Sequence, residues 1–284
     1  MSELSISAEA FAAAVDRLCA HRTHLTVVKL GGSAMEDPAA TDACLRSVAA
    51  LNRLRVPLVL VHGGGKPIDR AMSEAGLTPR KVAGRRYTDD ATLGIVVRVL
   101  QEIGAGLVER LRTSGAQAAA LSSQLSGERL FLPSDSGPPI DLGRVGQVTG
   151  VGEKIGQVVT EGVVPVVPSL ASDAHGWLNI NADTAASAVA GALKAERVIF
   201  LTDTPGVLRD RSDPNSLFPR LTESEARALI ASGVIEGGMV PKVEACFEAL
   251  AAGARSALIL DGRVPFSLLD VFLRDTFTGT VITR

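Results

Sequence analysis

Two lysines standing beside paired glycines carry the chemistry that this chain can offer. Lys29 closes an apolar run in Val28-Lys29-Leu30-Gly31-Gly32-Ser33, and Lys242 ends Glu236-Gly237-Gly238-Met239-Val240-Pro241-Lys242. Glycine pairs let bare backbone N–H groups close around an anion, and a lysine adds a mobile positive charge. A third glycine cluster, His62-Gly63-Gly64-Gly65, again follows a strand-like run. Three anion cradles, two of them with a cation, suggest phosphate chemistry.

The familiar nucleotide loops do not account for them. A Walker loop needs Gly-Lys-Ser/Thr after Gly and four residues, but Pro67 follows Gly65-Lys66 and Leu60 occupies the first glycine position. The dinucleotide pattern fails at Ile68, where its last glycine belongs. Neither a serine elbow nor a zinc-type histidine pair is present.

Lys29 would point into the crevice outside the carboxyl end of its strand, where open α/β sheets bind ligands, although a lysine there can also simply snorkel to water. At His62-Gly63-Gly64-Gly65 a helix N-terminus is expected to follow, and its free N–H groups favour an anion. A tight strand-to-helix turn is the plainer alternative, and His62 itself reads as a structural residue. An arginine in Gly84-Arg85-Arg86-Tyr87-Thr88-Asp89 could clamp a carboxylate, yet composition alone favours a solvated arginine. Alternation along Asn179-Ile180-Asn181-Ala182-Asp183 puts Asn179, Asn181 and Asp183 on one side. They would form a polar wall, with an acid able to hold lysines. The turn Thr202-Asp203-Thr204-Pro205-Gly206-Val207-Leu208 is weak evidence by itself.

These residues need a scaffold of alternating strands and helices. Short apolar runs at 25–30, 58–61, 117–121, 163–167, 198–201 and 257–260 read as strands covered on both faces. Ser7 is expected to cap a helix over 7–22 with Phe11, Val15, Leu18 and Cys19 on one stripe, packing on another subunit or on its own sheet. Asp37-Pro38 starts a helix to about Arg55, Pro67 another ending at Gly76, and Thr88 or Asp89 a long one to about Thr113, closed by Gly115. Further helices are expected at 153–161, 183–193, 223–231 and 239–252. The segment 125–149, rich in Gly, Pro and Ser, reads as hairpins at the sheet edge. The fold class is therefore α/β, an open and mostly parallel sandwich.

A chain of 284 residues can bury a substantial core. Its net charge of −2, without a basic run, and its single Trp and Tyr argue against nucleic acid. No apolar stretch reaches the ~20 residues that a membrane span needs. Three scattered cysteines read as buried thiols of a reducing compartment, without metal-ligand spacing, and the chain is expected to be cytoplasmic.

In this order and spacing the motifs resemble the amino acid kinase family, over roughly Leu25 to the C-terminus. The most specific pieces are Val28–Gly32, His62–Gly65, Gly84–Asp89, Asn179–Ala186, Ile230–Met239 and Asp261–Pro265. The resemblance implies a three-layer sandwich of two lobes, 25–193 for an acid and 194–284 for ATP, in one domain over 1–284. It implies transfer of the γ-phosphoryl group of ATP, with Mg²⁺, to the side-chain carboxylate of N-acetyl-L-glutamate in arginine biosynthesis. Lys29 and Lys242 would stabilise transferring charge, and Asp183 would organise both lysines. Gly64, Gly65, Arg86, Asn179 and Asn181 would hold the acid. Gly31, Gly32, Asp203, Gly206, Val207, Leu208, Gly237 and Gly238 would hold ATP, and no protein metal ligand is assigned. A homo-oligomer is implied, a dimer or a hexamer joined through the N-terminal helix. Two other readings stay open: a relative acting on carrier-linked aminoadipate, disfavoured because no concentrated basic patch is visible, and a non-catalytic nucleotide sensor, which should have lost a lysine or the aspartate.

Arginine-inhibited relatives carry His after an Arg-x-Pro step and Glu-Gly-x-Gly-Thr near the end. Here those positions read Phe266 and Thr276-Phe277-Thr278-Gly279-Thr280. A guanidinium site without that carboxylate should be weak. Feedback by arginine is therefore expected to be reduced or absent; strong inhibition of activity at sub-millimolar arginine would contradict this.

Overall fold

The computed structural model describes residues 7–31, 35–134 and 137–284. Its central sheet runs Arg220–Thr222, Thr280–Thr283, Ser256–Asp261, Arg197–Thr202, Thr26–Leu30, Leu58–His62, Val164–Pro168 and Ala118–Ala120. The pairs are parallel except where Thr280–Thr283 runs against Ser256–Asp261. All six expected core strands lie in this sheet. The two outer strands at 220–222 and 280–283 are too short and mixed to announce themselves in the sequence.

Alternation sorts the strand residues between two cores. Val27, Val61, Val198 and Ala257 face the helices Ala182–Ala192 and Val240–Ala251. Val28, Leu60, Ile199 and Leu258 face the helices Pro38–Arg53, Asp90–Thr113 and Ser267–Leu273. Each fully buried Val or Leu contributes about 1.5–3 kcal/mol, enough in sum to hold a few buried polar groups in place. Lys29 shares the parity of Val27 and so projects toward the helix Ala182–Ala192. That helix packs closely on its neighbour, since a Cβ added at Gly191 would lie 2.7 Å from the Cβ of Ala252.

Local signals hold where they were strongest. Ser7, Asp37 and Asp89 each accept backbone N–H groups as N-caps, and Thr222 with Glu225 forms a capping box. The helix expected from Pro67 begins earlier, at Gly65, with Gly64 as its N-cap residue.

The segment 125–149 does not sit at the sheet edge. Leu125–Leu132 and Ile140–Val151 close with Leu170–Asp173 and Gly176–Ile180 into a small barrel of their own. Leu125, Ala171 and Leu178 are buried there. The partners flank a central-sheet strand in sequence, so the pairing is non-local and no local pattern announces it.

Two further expectations need correction. The helix Asp90–Thr113 is long and apolar enough to cross a membrane by length and composition, yet Val96, Leu100, Leu107 and Leu111 are buried against the protein. Cys19 is exposed; only Cys44 and Cys246 are buried. On the first helix, Ala8–His21, only Leu18 is buried, while Phe11 is 59% exposed. Its last turn is tethered to the body by His21, edge-on to the Phe272 ring, and by Arg17, which donates to the Leu273 carbonyl.

His62 ends its strand fully buried. Its Nδ1–H donates to the Gly63 carbonyl at 3.2 Å, and Nε2 faces Gly104 with no partner. Burial pushes its pKa down from 6.5 to about 4, against a smaller opposing effect of the Gly63 carbonyl. The unfolded chain therefore binds a proton between about pH 6.5 and 4 that the folded one does not. Stability is complete above that window and is lost as pH falls through it, by on the order of 3 kcal/mol. Urea midpoints at pH 7 and pH 5 should show this loss, and His62→Asn should shrink it; an unchanged slope in the variant would contradict it.

Candidate active site

The carboxyl ends of the central strands, with the N-termini of two helices, enclose a cavity of about 240 Å³. Lys29, 9% exposed, reaches it from the first strand, and its Nζ lies 2.7 Å from Oδ1 of Asp183. Asp183 stands in the first turn of Ala182–Ala192 but does not cap it. Asn181 is the cap, its Oδ1 accepting from the N–H groups of Asp183 at 2.8 Å and Thr184 at 3.2 Å. The cap fixes where the helix starts, and so fixes where the carboxylate meets the lysine. A buried lysine without such a partner would carry a large desolvation penalty.

Opposite this pair, the helix Gly65–Glu74 starts with no side-chain cap, so its first N–H groups lack an intrahelical acceptor. A Cβ at Gly64 would come within 2.9 Å of Leu100, whereas one at Gly65 would meet nothing within 4 Å. The first glycine is required for packing; the second leaves open space. Arg86 is not solvated: its side chain is 8% exposed and pairs with Asp69 at 2.5 Å. Its other nitrogen donates to the Gly65 carbonyl at 3.2 Å. The arginine thus ties the hairpin Lys81–Val82/Arg85–Arg86 to the glycine turn. Asn179 donates to Thr88 Oγ1 at 3.0 Å, and Thr88 in turn donates to the Arg86 carbonyl at 2.9 Å.

Lys81, which sequence reading passed over, and Arg85, the other arginine of the Gly84–Asp89 motif, also line this cavity. With Lys29 and Arg86 they make its surroundings distinctly basic, which corrects the expectation that no basic patch exists. The hairpin carries three cations close together in sequence and brings them to Lys29, which is distant in the chain. Ser169 is a further lining residue that no pattern singled out.

A second cavity, of about 410 Å³, is bounded by Asp203, Gly206, Val207, Leu208, Gly238 and Lys242, among others. Lys242 Nζ lies 3.0 Å from Asp203 Oδ1, and this hydrogen bond, with the lysine charge, holds the Asp203 carboxyl below the usual carboxylate range. Asp183 thus has Lys29 as its partner, while Lys242 has a different carboxylate. At Gly206, φ is +139° and a Cβ would meet Thr280 Oγ1 at 2.6 Å, so only glycine suits this wall. The Val207 N–H donates to the same Thr280 oxygen at 2.8 Å. Gly237, φ +56°, opens the turn that leads into the Lys242 helix.

The anticipated residues thus fall into two groups: Lys29, Gly64, Gly65, Arg86, Asn179, Asn181 and Asp183 at one cavity, and Asp203, Gly206, Val207, Leu208, Gly238 and Lys242 at the other. Both open at the carboxyl ends of adjoining strands, where Leu30 is in register with Leu201. Gly31 is not a free donor, because its N–H extends the sheet to the Leu201 carbonyl at 3.3 Å. Gly32 lies outside the described residues. Among the described residues no cluster of His, Cys, Asp or Glu could by itself hold a metal ion.

The sequence signature of the amino acid kinase family matches residues 24–261. An acetylglutamate kinase of Akkermansia muciniphila is 38% identical, over 100% of this chain and 98% of its own. One of Pelotomaculum thermopropionicum is 40% identical over 91% of each. Among solved structures, the N-acetylglutamate synthase of Neisseria gonorrhoeae, complexed with coenzyme A and N-acetyl-glutamate, superposes on 99% of this chain with a TM-score of 0.83 at 22% identity. This chain spans 64% of that protein's length. The carbamate kinase of Giardia lamblia bound to AMP-PNP superposes on 92% of this chain and 98% of its own, with a TM-score of 0.64 at 15% identity. At such identities these two establish the fold alone.

Proposed function

The chain belongs to the amino acid kinase family, and from that premise we propose that it is a phosphotransferase with a carboxyl acceptor, converting N-acetyl-L-glutamate and ATP into N-acetyl-L-glutamyl 5-phosphate and ADP. The observation that carries the reading is the Lys29–Asp183 pair at 2.7 Å, facing an uncapped helix N-terminus across a basic cavity. The acid sits there, its carboxylates met by the N–H groups of the Gly64–Gly65 turn and by cations. ATP occupies the cavity of Asp203–Leu208, with Lys242 toward its phosphates.

A carboxylate is already ionised at neutral pH, so the reaction needs no general base. A carboxylate oxygen attacks the γ-phosphorus, a P–O bond forms to it, and the bond to the bridging oxygen breaks to release ADP. The protein's task is to align two mutually repelling anions and to place positive charge where the phosphoryl group passes. Lys29 supplies it from the acid side. Lys242 supplies it from the nucleotide side once ATP competes with Asp203 for its ammonium. Mg²⁺ is the usual companion of ATP and takes most of its ligands from phosphates and water, so a protein cage is not required; Asp203 and Glu236 are the carboxylates that line this cavity.

The reaction serves arginine biosynthesis. Free thiols at Cys44 and Cys246, the first pushed up to about 12 by burial, suit a reducing cytoplasm. The exposed Phe11 and Val15 on the first helix support self-association, as a dimer or as a hexamer joined there. The basic surroundings of the first cavity also keep a second acceptor in play, a carrier-linked aminoadipate on an acidic carrier. Coupled ADP release with each acid separates the two.

Lys29→Ala and Lys242→Ala should each lower kcat by about 10²–10³, by analogy with the loss of one preorganised donor to a developing charge. Steady-state ADP release measures this; full activity in Lys29→Ala would contradict the role given to Lys29, and a protein that binds ADP yet releases none from ATP with the acid present would favour a nucleotide sensor over an enzyme.

A further inference from the structure

Ser169 follows the strand Val164–Pro168 and is 3% exposed. Both of its backbone groups are committed: its N–H donates to the His62 carbonyl at 3.0 Å, and its carbonyl accepts from the Ile180 N–H at 3.0 Å. Leu170, the next residue, turns into the apolar cluster of Ile68, Val96 and Leu100. Ser169, of opposite parity, lines the first cavity instead. Among the described residues no group partners its hydroxyl. The residue is tied on one side to the strand leading into the glycine turn and on the other to the segment of Asn179–Asp183. The hydroxyl faces the cavity, and a ligand that covers it must accept its hydrogen bond or leave it buried and unpaired, at a cost.

Resting on the acceptor-acid reading above, we propose that Ser169 is a specificity-determining residue whose hydroxyl donates a hydrogen bond to an oxygen of the acid held in this cavity. A hydroxyl suits this place because it can rotate to follow a carboxylate or amide oxygen. It also adds a neutral donor among Lys29, Lys81, Arg85 and Arg86, whose charges attract any anion but recognise none in particular. The nucleotide has no share in it, since Ser169 does not line the cavity of Asp203 and Lys242.

Calorimetric titration of N-acetyl-L-glutamate and, separately, of ADP into the whole protein tests the proposal. Ser169→Ala should weaken binding of the acid at least about fivefold, the size of one lost hydrogen bond, and leave ADP affinity within about twofold. Ser169→Cys, nearly the same volume with a poor donor, should fall between the two. Melting temperatures should barely change, because the hydroxyl bonds nothing in the protein. A loss below about fivefold in Ser169→Ala, an equal loss for ADP, or failure of both variants to fold would overturn the assignment. If the unaltered protein binds ADP but not N-acetyl-L-glutamate, the acceptor itself is wrong and both readings fall; binding in the unaltered protein with no effect in the variants removes only the role of Ser169.

Discussion

An ammonium group in a nearly closed site must have a counter-charge, and that requirement organises this molecule. Lys29 is 9% exposed near the end of a fully buried strand whose other residues carry no charge. Asp183 meets it because alternation turns Lys29 toward the helix Ala182–Ala192, and because Asn181 caps that helix where it does. The partner is also a restraint. A lysine held by one carboxylate oxygen keeps other N–H bonds for an anion, and its position is fixed before any ligand arrives.

The second lysine is held differently. Lys242 pairs with Asp203, whose carboxylate is 46% exposed, at the rim of the other cavity. A half-exposed pair is weak and exchangeable, as suits a side chain that must let go of its carboxylate when polyphosphate arrives. The contrast between the two pairs, one enclosed and one open, would divide the labour under the proposed function: a fixed charge beside the acceptor and a mobile one beside the donor. Adjoining parallel strands supply both sites, so the sheet register sets their separation.

Much of this was legible in the chain. Apolar runs marked the central strands, Asp37-Pro38 and Asp89 marked helix starts, and Lys29 and Asp183 stood out by type and setting. What stayed hidden depends on distant residues. The small barrel pairs segments on either side of a central strand. Gly31 looks like an anion donor until the Leu201 carbonyl is seen to take its N–H. Arg86 looks solvated until Asp69 and Gly65 enclose it. Ser169 is a single hydroxyl in Val-Pro-Ser-Leu, and only the closed cavity gives it meaning.

A crystal structure with ADP and N-acetyl-L-glutamate bound bears most directly on this division of labour. The account predicts Lys29 Nζ still on Asp183 and facing the side-chain carboxylate of the acid, with Lys242 Nζ released from Asp203 and turned to the same gap between acid and nucleotide. Ammonium groups left on separate sides of the ligands, with no common point between them, would contradict it.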